Sequence, residues 1–190
     1  GKNTYVIEIN DAIFVFDCGL KYAVNNMYGI DYIIPDYEYL IKNKTKIKGV
    51  FITHGHYENM GAAADLARII PGIKFYATHY TKFVLMDLGV KEENIVEIVP
   101  NKSLKFDGIT IFPLPVSHSV PGAVMYSINT SHGAICYTGD FIIDPLMRDA
   151  YDMDLGKIAY IGKKGVLCLL SESVFSEHVG HTSPSHRLAS

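Results

Sequence analysis

Val50-Phe51-Ile52-Thr53-His54-Gly55-His56-Tyr57-Glu58-Asn59 is the stretch that decides the reading of this chain. A β-rich run passes directly into two histidines separated by one glycine. Extended backbone points residues i and i+2 to the same side, so a His-x-His placed there supplies two corners of a tetrahedral metal site from three residues. The spacing by itself is weak, because a chain of 190 residues with 8 histidines produces one by chance roughly 0.3 times. Its position is the stronger signal: an apolar strand before it, and a helix beginning at Asn59 after it. The apolar spacing of Met60, Ala63, Ala64, Ala67 and Ile70 predicts one helix over 59–70, ended by Pro71-Gly72.

Three more polar clusters stand after apolar runs. They are Asp17 after Ile13–Phe16, Ser117-His118-Ser119 after 109–114, and Gly139-Asp140 after 135–137. Strand ends are where α/β sheets present ligand-binding groups, since side chains there leave the core yet stay rigidly held. Four such clusters rich in His and Asp predict a shared metal site built from His54, His56, His118 and Asp140. Taken singly, His118 reads as a hydrogen-bonded loop histidine and Asp140 as a turn cap. His79 reads as a surface or cap residue and His132 as part of a turn. His178, His181 and His186 lie in a Ser/Pro-rich stretch and read as solvated.

Working outward, the pattern alternates strands with helices and shows no repeat. Thr4–Ile9 and Ala12–Phe16 are joined by Asn10-Asp11, a hairpin signal. A brief helix over 36–43 capped by Asp36 leads into the strand before His54, past a lysine run (Lys42, Lys44, Lys46, Lys48) that reads as a solvated turn. A helix is expected over 80–88, then a β-rich block over 104–137, a helix over 153–161 and a fully buried strand Val166–Leu170. This is a layered α/β fold with helices covering the sheets.

Composition bounds the function. Hydrophobic residues make up 48% and charged residues 19% of the chain, which fits a globular core. The formal net charge of −3 provides no bulk basic field, although a local groove could still be basic. No apolar run approaches the length needed to span a membrane. Cys18, Cys136 and Cys168 are odd in number and embedded in apolar runs, so they read as buried free thiols in a reducing compartment. No Gly-x-Ser-x-Gly elbow, phosphate loop or dinucleotide fingerprint competes with the metal site.

Thr53-His54-Gly55-His56, His118 within Ser-His-Ser-x-Pro, and Tyr137-Thr138-Gly139-Asp140-Phe141 resemble the metallo-β-lactamase fold. More closely they resemble its ribonuclease J branch, which carries a β-CASP domain. Asp17-Cys18-Gly19-Leu20, Gly29 to Asp36, Gly165-Val166-Leu167 and Ser171-Glu172-Ser173 resemble that branch as well, the last being similar to the acidic motif that opens β-CASP. The resemblance implies an αββα sandwich that is incomplete in this chain. Residues 1–171 would be the N-terminal part of the lactamase domain and 172–190 the start of β-CASP, with the family's first strand and later segments outside the sequence.

The same resemblance implies a cytoplasmic, metal-dependent ribonuclease that cuts RNA internally and from the 5′ end, using Zn2+ or Mn2+. His54, His56 and His118 would hold the first ion, Asp140 would bridge to a second, and Asp17 would orient a ligand histidine. His118, Asp140 and Glu58 are the catalytic candidates. The chain departs from the family's His-x-His-x-Asp-His, because Glu58 replaces the Asp and Asn59 the second-metal His. One ion is therefore expected, with a weakened second site, similar to a less active ribonuclease J paralogue. The alternatives are an inactive subunit that stabilises an active paralogue in a hetero-oligomer, and a small-ester or thioester hydrolase of the same fold.

Overall fold

A computed structural model describes residues 2–24, 27–144, 146–174 and 176–180, divided into two units at Ile98/Val99. His181 and His186 lie outside the described residues.

The first unit begins with β1 (Tyr5–Ile9) and β2 (Ala12–Phe16), an antiparallel hairpin pairing Tyr5 with Phe16. Asn10 and Asp11 both take positive φ, 49° and 62°. That is the primed turn whose twist matches the strands it joins. Lys46 ties the hairpin down through Glu8 (3.3 Å) and Asp11 (2.9 Å). Next come the short strands β3 (Lys21–Tyr22) and β4 (Tyr32–Ile33), then helix α1 (Glu38–Lys42). Asp36 accepts the Glu38 backbone N–H at 2.8 Å ahead of that helix. The main sheet continues with β5 (Ile47–Phe51), and after helices α2 (Tyr57–Met60) and α3 (Ala63–Ile69) with β6 (Phe75–Ala77). Helix α4 (His79–Asp87) and β7 (Ile95–Glu97) complete it. The order is β1-β2-β5-β6-β7, parallel from β2 onward.

Alternation along β2, β5 and β6 sorts the side chains onto two faces. Ile13, Val15, Val50, Phe75 and Ala77 pack with Leu40, Met60, Ala63, Leu66 and Leu85 from the four helices. The opposite face carries Phe14, Phe16, Phe51 and Tyr76, with Phe51 stacked on Tyr76 at 4.6 Å and on Phe16 at 5.4 Å.

The second unit holds β8 (Leu104–Phe106), β9 (Ile109–Pro115), β10 (Val124–Thr130) and β11 (Gly133–Tyr137) as an antiparallel meander. Helix α5 (Leu155–Lys164) then leads into β12 (Val166–Leu170), which runs parallel to β11. Asp154 caps α5 by accepting the Lys157 N–H at 2.9 Å. One sheet face packs Leu114, Met125 and Cys136 against Ile158 and Ile161 of α5.

Three expectations are corrected. The helix expected over 59–70 is two helices, interrupted at Gly61-Ala62. Ala62 N–H bonds the Cys18 carbonyl at 2.9 Å, and the Glu58 and Asn59 carbonyls accept from Asn3 N–H (2.9 Å) and Cys18 N–H (2.7 Å). Hydrogen bonds that would continue one helix go instead to a strand-end loop some forty residues earlier. Strand β12 is an edge strand, not a fully buried one, with Leu167 63% and Leu169 60% exposed. Cys168 on the same strand is exposed, whereas Cys18 and Cys136 are buried. An apolar run alone does not tell a central strand from an edge strand, because neighbouring strands decide burial.

Candidate metal centre

His54 and His56 stand just beyond β5, where the extended path ends at the start of α2. His54 is fully buried and His56 partly so. The predicted same-side arrangement is present: Nε2 of His54 lies 3.1 Å from Nδ1 of His56. Two nitrogens on one tetrahedral ion at about 2.05 Å each sit about 3.3 Å apart. The pair therefore fits a single divalent ion.

The tautomer of His54 follows from its neighbours. Asp17 is completely buried, with φ of 60°, and its carboxylate can only accept. Thr53 N–H donates to its Oδ1 at 2.8 Å and the Thr53 hydroxyl donates to its Oδ2 at 2.9 Å. With its single proton committed there, Thr53 Oγ1 can only accept from His54 Nδ1, 2.9 Å away. His54 thus carries its proton on Nδ1 and keeps a lone pair on Nε2, the nitrogen facing His56. Asp17 thus reaches His54 through a threonine hydroxyl. Outer contacts of this kind set ligand basicity and ring angle.

This arrangement depends on a close backbone approach. Beyond the Ala62 and Asn59 contacts above, Leu20 N–H bonds Tyr57 O at 3.0 Å, and Gly19 N–H bonds Asn3 O at 2.8 Å. A Cβ on Gly19 would lie 1.7 Å from the Glu58 carbonyl oxygen. The glycine is what lets the 17–20 loop lie against α2. Cys18 sits within this loop, and burial, with a smaller contribution from the Asp17 charge, pushes its thiol well above the usual range. Its sulfur is not among the clustered donor atoms suited to an ion.

In the second unit, His118 follows β9 and Asp140 follows β11. A single bridge, Ile142 N–H to Ser117 O at 2.8 Å, holds these strand ends side by side. The ligand atoms of His118 and Asp140 come within 4.8 Å of each other. Gly139, with φ of 57°, makes the turn that releases Asp140 from the strand.

The donor atoms suited to a divalent ion are thus His54 and His56 in the first unit, and His118 and Asp140 in the second. Imidazole nitrogens with one carboxylate are an appropriate set for such an ion. Glu58, partly buried on α2, is not among these donors. Asn59 is completely buried and donates through Nδ2 to Asp17 Oδ2 at 2.8 Å, while its Oδ1 accepts no hydrogen bond. Of the remaining histidines, His79 and His132 behave as read. His79 is exposed and pairs with Glu97 at 2.9 Å, which lowers the Glu97 carboxyl, and His132 sits in the turn after β10. Sequence reasoning missed Thr53, whose only signal was its place directly before the His-x-His.

Replacing Asp17 by Asn should put an amide N–H against the Thr53 hydroxyl, which then turns to donate to His54 Nδ1. His54 Nε2 would become protonated and lose its lone pair. Asp17→Asn is expected to weaken metal binding about 10- to 100-fold, measured by competition with a chromophoric chelator.

Residues 1–163 match the family description "Metallo-beta-lactamase superfamily". Among curated proteins, Ribonuclease J 2 of Streptococcus pyogenes is 39% identical over 180 residues, covering 92% of this chain and 32% of that protein. Ribonuclease J 2 of Staphylococcus saprophyticus is 35% identical over 195 residues, covering 100% of this chain and 35% of that protein. The chain spans about a third of the length of these relatives. Among solved structures, the metallo-beta-lactamase fold protein YhfI from Bacillus subtilis aligns with a TM-score of 0.54 at 16% identity, over 74% of this chain and 55% of that one. With the His-x-His at a strand end, two mixed sheets flanked by helices, and a family match along most of its length, the chain belongs to the metallo-β-lactamase superfamily.

Proposed function

We propose that this chain is part of a metal-dependent ribonuclease of the ribonuclease J type, with RNA phosphodiesters as substrate. The observation that carries the reading is the identity of up to 39% with proteins named Ribonuclease J 2, along nearly the whole chain, together with a His54–His56 pair at chelating distance. On this reading His54, His56, His118 and Asp140 hold one divalent ion, zinc or manganese. Such an ion supplies charge neutralisation at the phosphodiester and lowers the pKa of a nearby water. Thr53 and Asp17 keep the His54 lone pair aimed outward. Residues 172–190 begin a β-CASP domain, and the protein is cytoplasmic and assembles with itself or with a paralogue. No helix among the described residues is long and apolar enough to cross a membrane.

Elemental analysis of the full chain purified without chelator should give close to one ion per chain, with RNA cleavage abolished by chelator. Absence of any bound ion in well-folded protein would overturn the metal reading. One bound ion with no cleavage of any RNA favours the non-catalytic subunit, a reading to which the departures at Glu58 and Asn59 lend weight.

A further inference from the structure

We infer that Asn59 is a positioning residue for the metal ligand His54, its amide holding the Asp17 carboxylate rather than a metal ion. The inference rests on the metal-centre reading above and concerns the first unit alone. Asp17 can only accept, so the group 2.8 Å from its Oδ2 must be the Asn59 NH2. That fixes the amide and leaves Oδ1 on the other side, buried and without a hydrogen-bond partner.

A histidine at this position could donate through Nδ1–H to the same carboxylate and still offer Nε2 to an ion. The amide reproduces the first half of that task only. Its carbonyl oxygen ends about 1 Å closer to Cγ than an imidazole Nε2 does, and an uncharged oxygen is a weak donor for zinc.

What the amide does accomplish runs in the other direction. Oδ2 of Asp17 receives both the Asn59 amide and the Thr53 hydroxyl, at 2.8 and 2.9 Å. Asn59 thereby holds the carboxylate in the rotamer that captures the Thr53 proton, and this in turn commits His54 Nδ1–H to Thr53. Four side chains, Asn59, Asp17, Thr53 and His54, form one chain of hydrogen bonds that ends on a lone pair facing His56.

The test uses the full chain with Asn59→Ala, Asn59→Asp and Asn59→His, read by zinc affinity and by imidazole 15N shifts of His54 in chelator-treated protein. Asn59→Ala should weaken zinc binding about 10- to 100-fold and reduce the Nδ1–H tautomer of His54. Asn59→Asp should be worse than Ala, because a second carboxylate would face Asp17. Asn59→His keeps the donor, so it should preserve both the tautomer and the affinity for the first ion. A role in packing alone predicts the opposite ranking, with the bulkier His as harmful as Ala and no change in tautomer. Unaltered zinc affinity and His54 shifts in both Asn59→Ala and Asn59→Asp would overturn the inference. So would two ions bound per unmodified chain, in zinc or in manganese. If no variant and no wild-type protein binds an ion, the metal reading fails, while the 15N shifts still decide whether Asn59 sets the His54 tautomer.

Discussion

Changing Glu58→Asp and Asn59→His together in the full chain should add a second bound ion and raise chelator-sensitive cleavage of a 5′-monophosphorylated RNA about 10²-fold, or roughly 2.7 kcal/mol of transition-state stabilisation. Glu58 carries one methylene more than the aspartate that the ribonuclease J resemblance implies at this position, and displacement of a reacting group by about 1 Å can cost 10²-fold. It also stands outside the set of residues that carry suitable donors. Asn59 already occupies a buried position bonded to Asp17, so a histidine there inherits an existing contact for Nδ1–H. The two changes serve one ion and should couple, with neither alone recovering much. Metal content and cleavage rate are measured on the same preparations. A double variant that binds two ions and cleaves no faster would place the defect outside the metal centre and favour the non-catalytic subunit.

Gly19→Ala should prevent the first unit from reaching its native packing, with a loss of about 4 kcal/mol or more. The new Cβ would meet the Glu58 carbonyl oxygen at 1.7 Å and its carbon at 2.3 Å. Both are backbone atoms, so no rotamer change relieves the overlap. Relief requires separating the 17–20 loop from α2, which breaks Cys18 N–H to Asn59 O, Leu20 N–H to Tyr57 O and Ala62 N–H to Cys18 O. Buried backbone groups left unpaired cost about 1–3 kcal/mol each. Urea denaturation followed by circular dichroism measures the loss. Gly162→Ala is the matching control, since a Cβ there meets nothing within 4 Å on an exposed turn of α5. That change should stabilise by about 0.5–1 kcal/mol through helix propensity.

The candidate donors His54, His56, His118 and Asp140 stand out in the residues because strand-ending polar clusters are a local pattern, and the same is true of Asp17. Helix α2–α3 shows where local pattern stops being informative. Apolar spacing over 59–70 describes one helix correctly as a face, yet its hydrogen bonds are taken by residues 3, 18 and 20, which no window around residue 60 contains. The exposure of β12 escaped for a related reason, since an apolar strand is buried only if other strands lie beside it.

The sequence by itself determined the hairpin at Asn10-Asp11, the strand leading into His-x-His, and the separate positions of His118 and Asp140 at strand ends. Each of these depends on residue type at short separation, through backbone stereochemistry and side-chain periodicity. Only the tertiary structure decided that Asn59 turns its amide towards Asp17, that Thr53 transmits that contact to His54, and that Gly19 must lack a side chain. These depend on non-local contacts, in which one donor has a choice of acceptors and geometry selects among them. A carboxylate from residue 17, a hydroxyl from residue 53 and an amide from residue 59 settle one proton's position only once the fold has placed them within 3 Å.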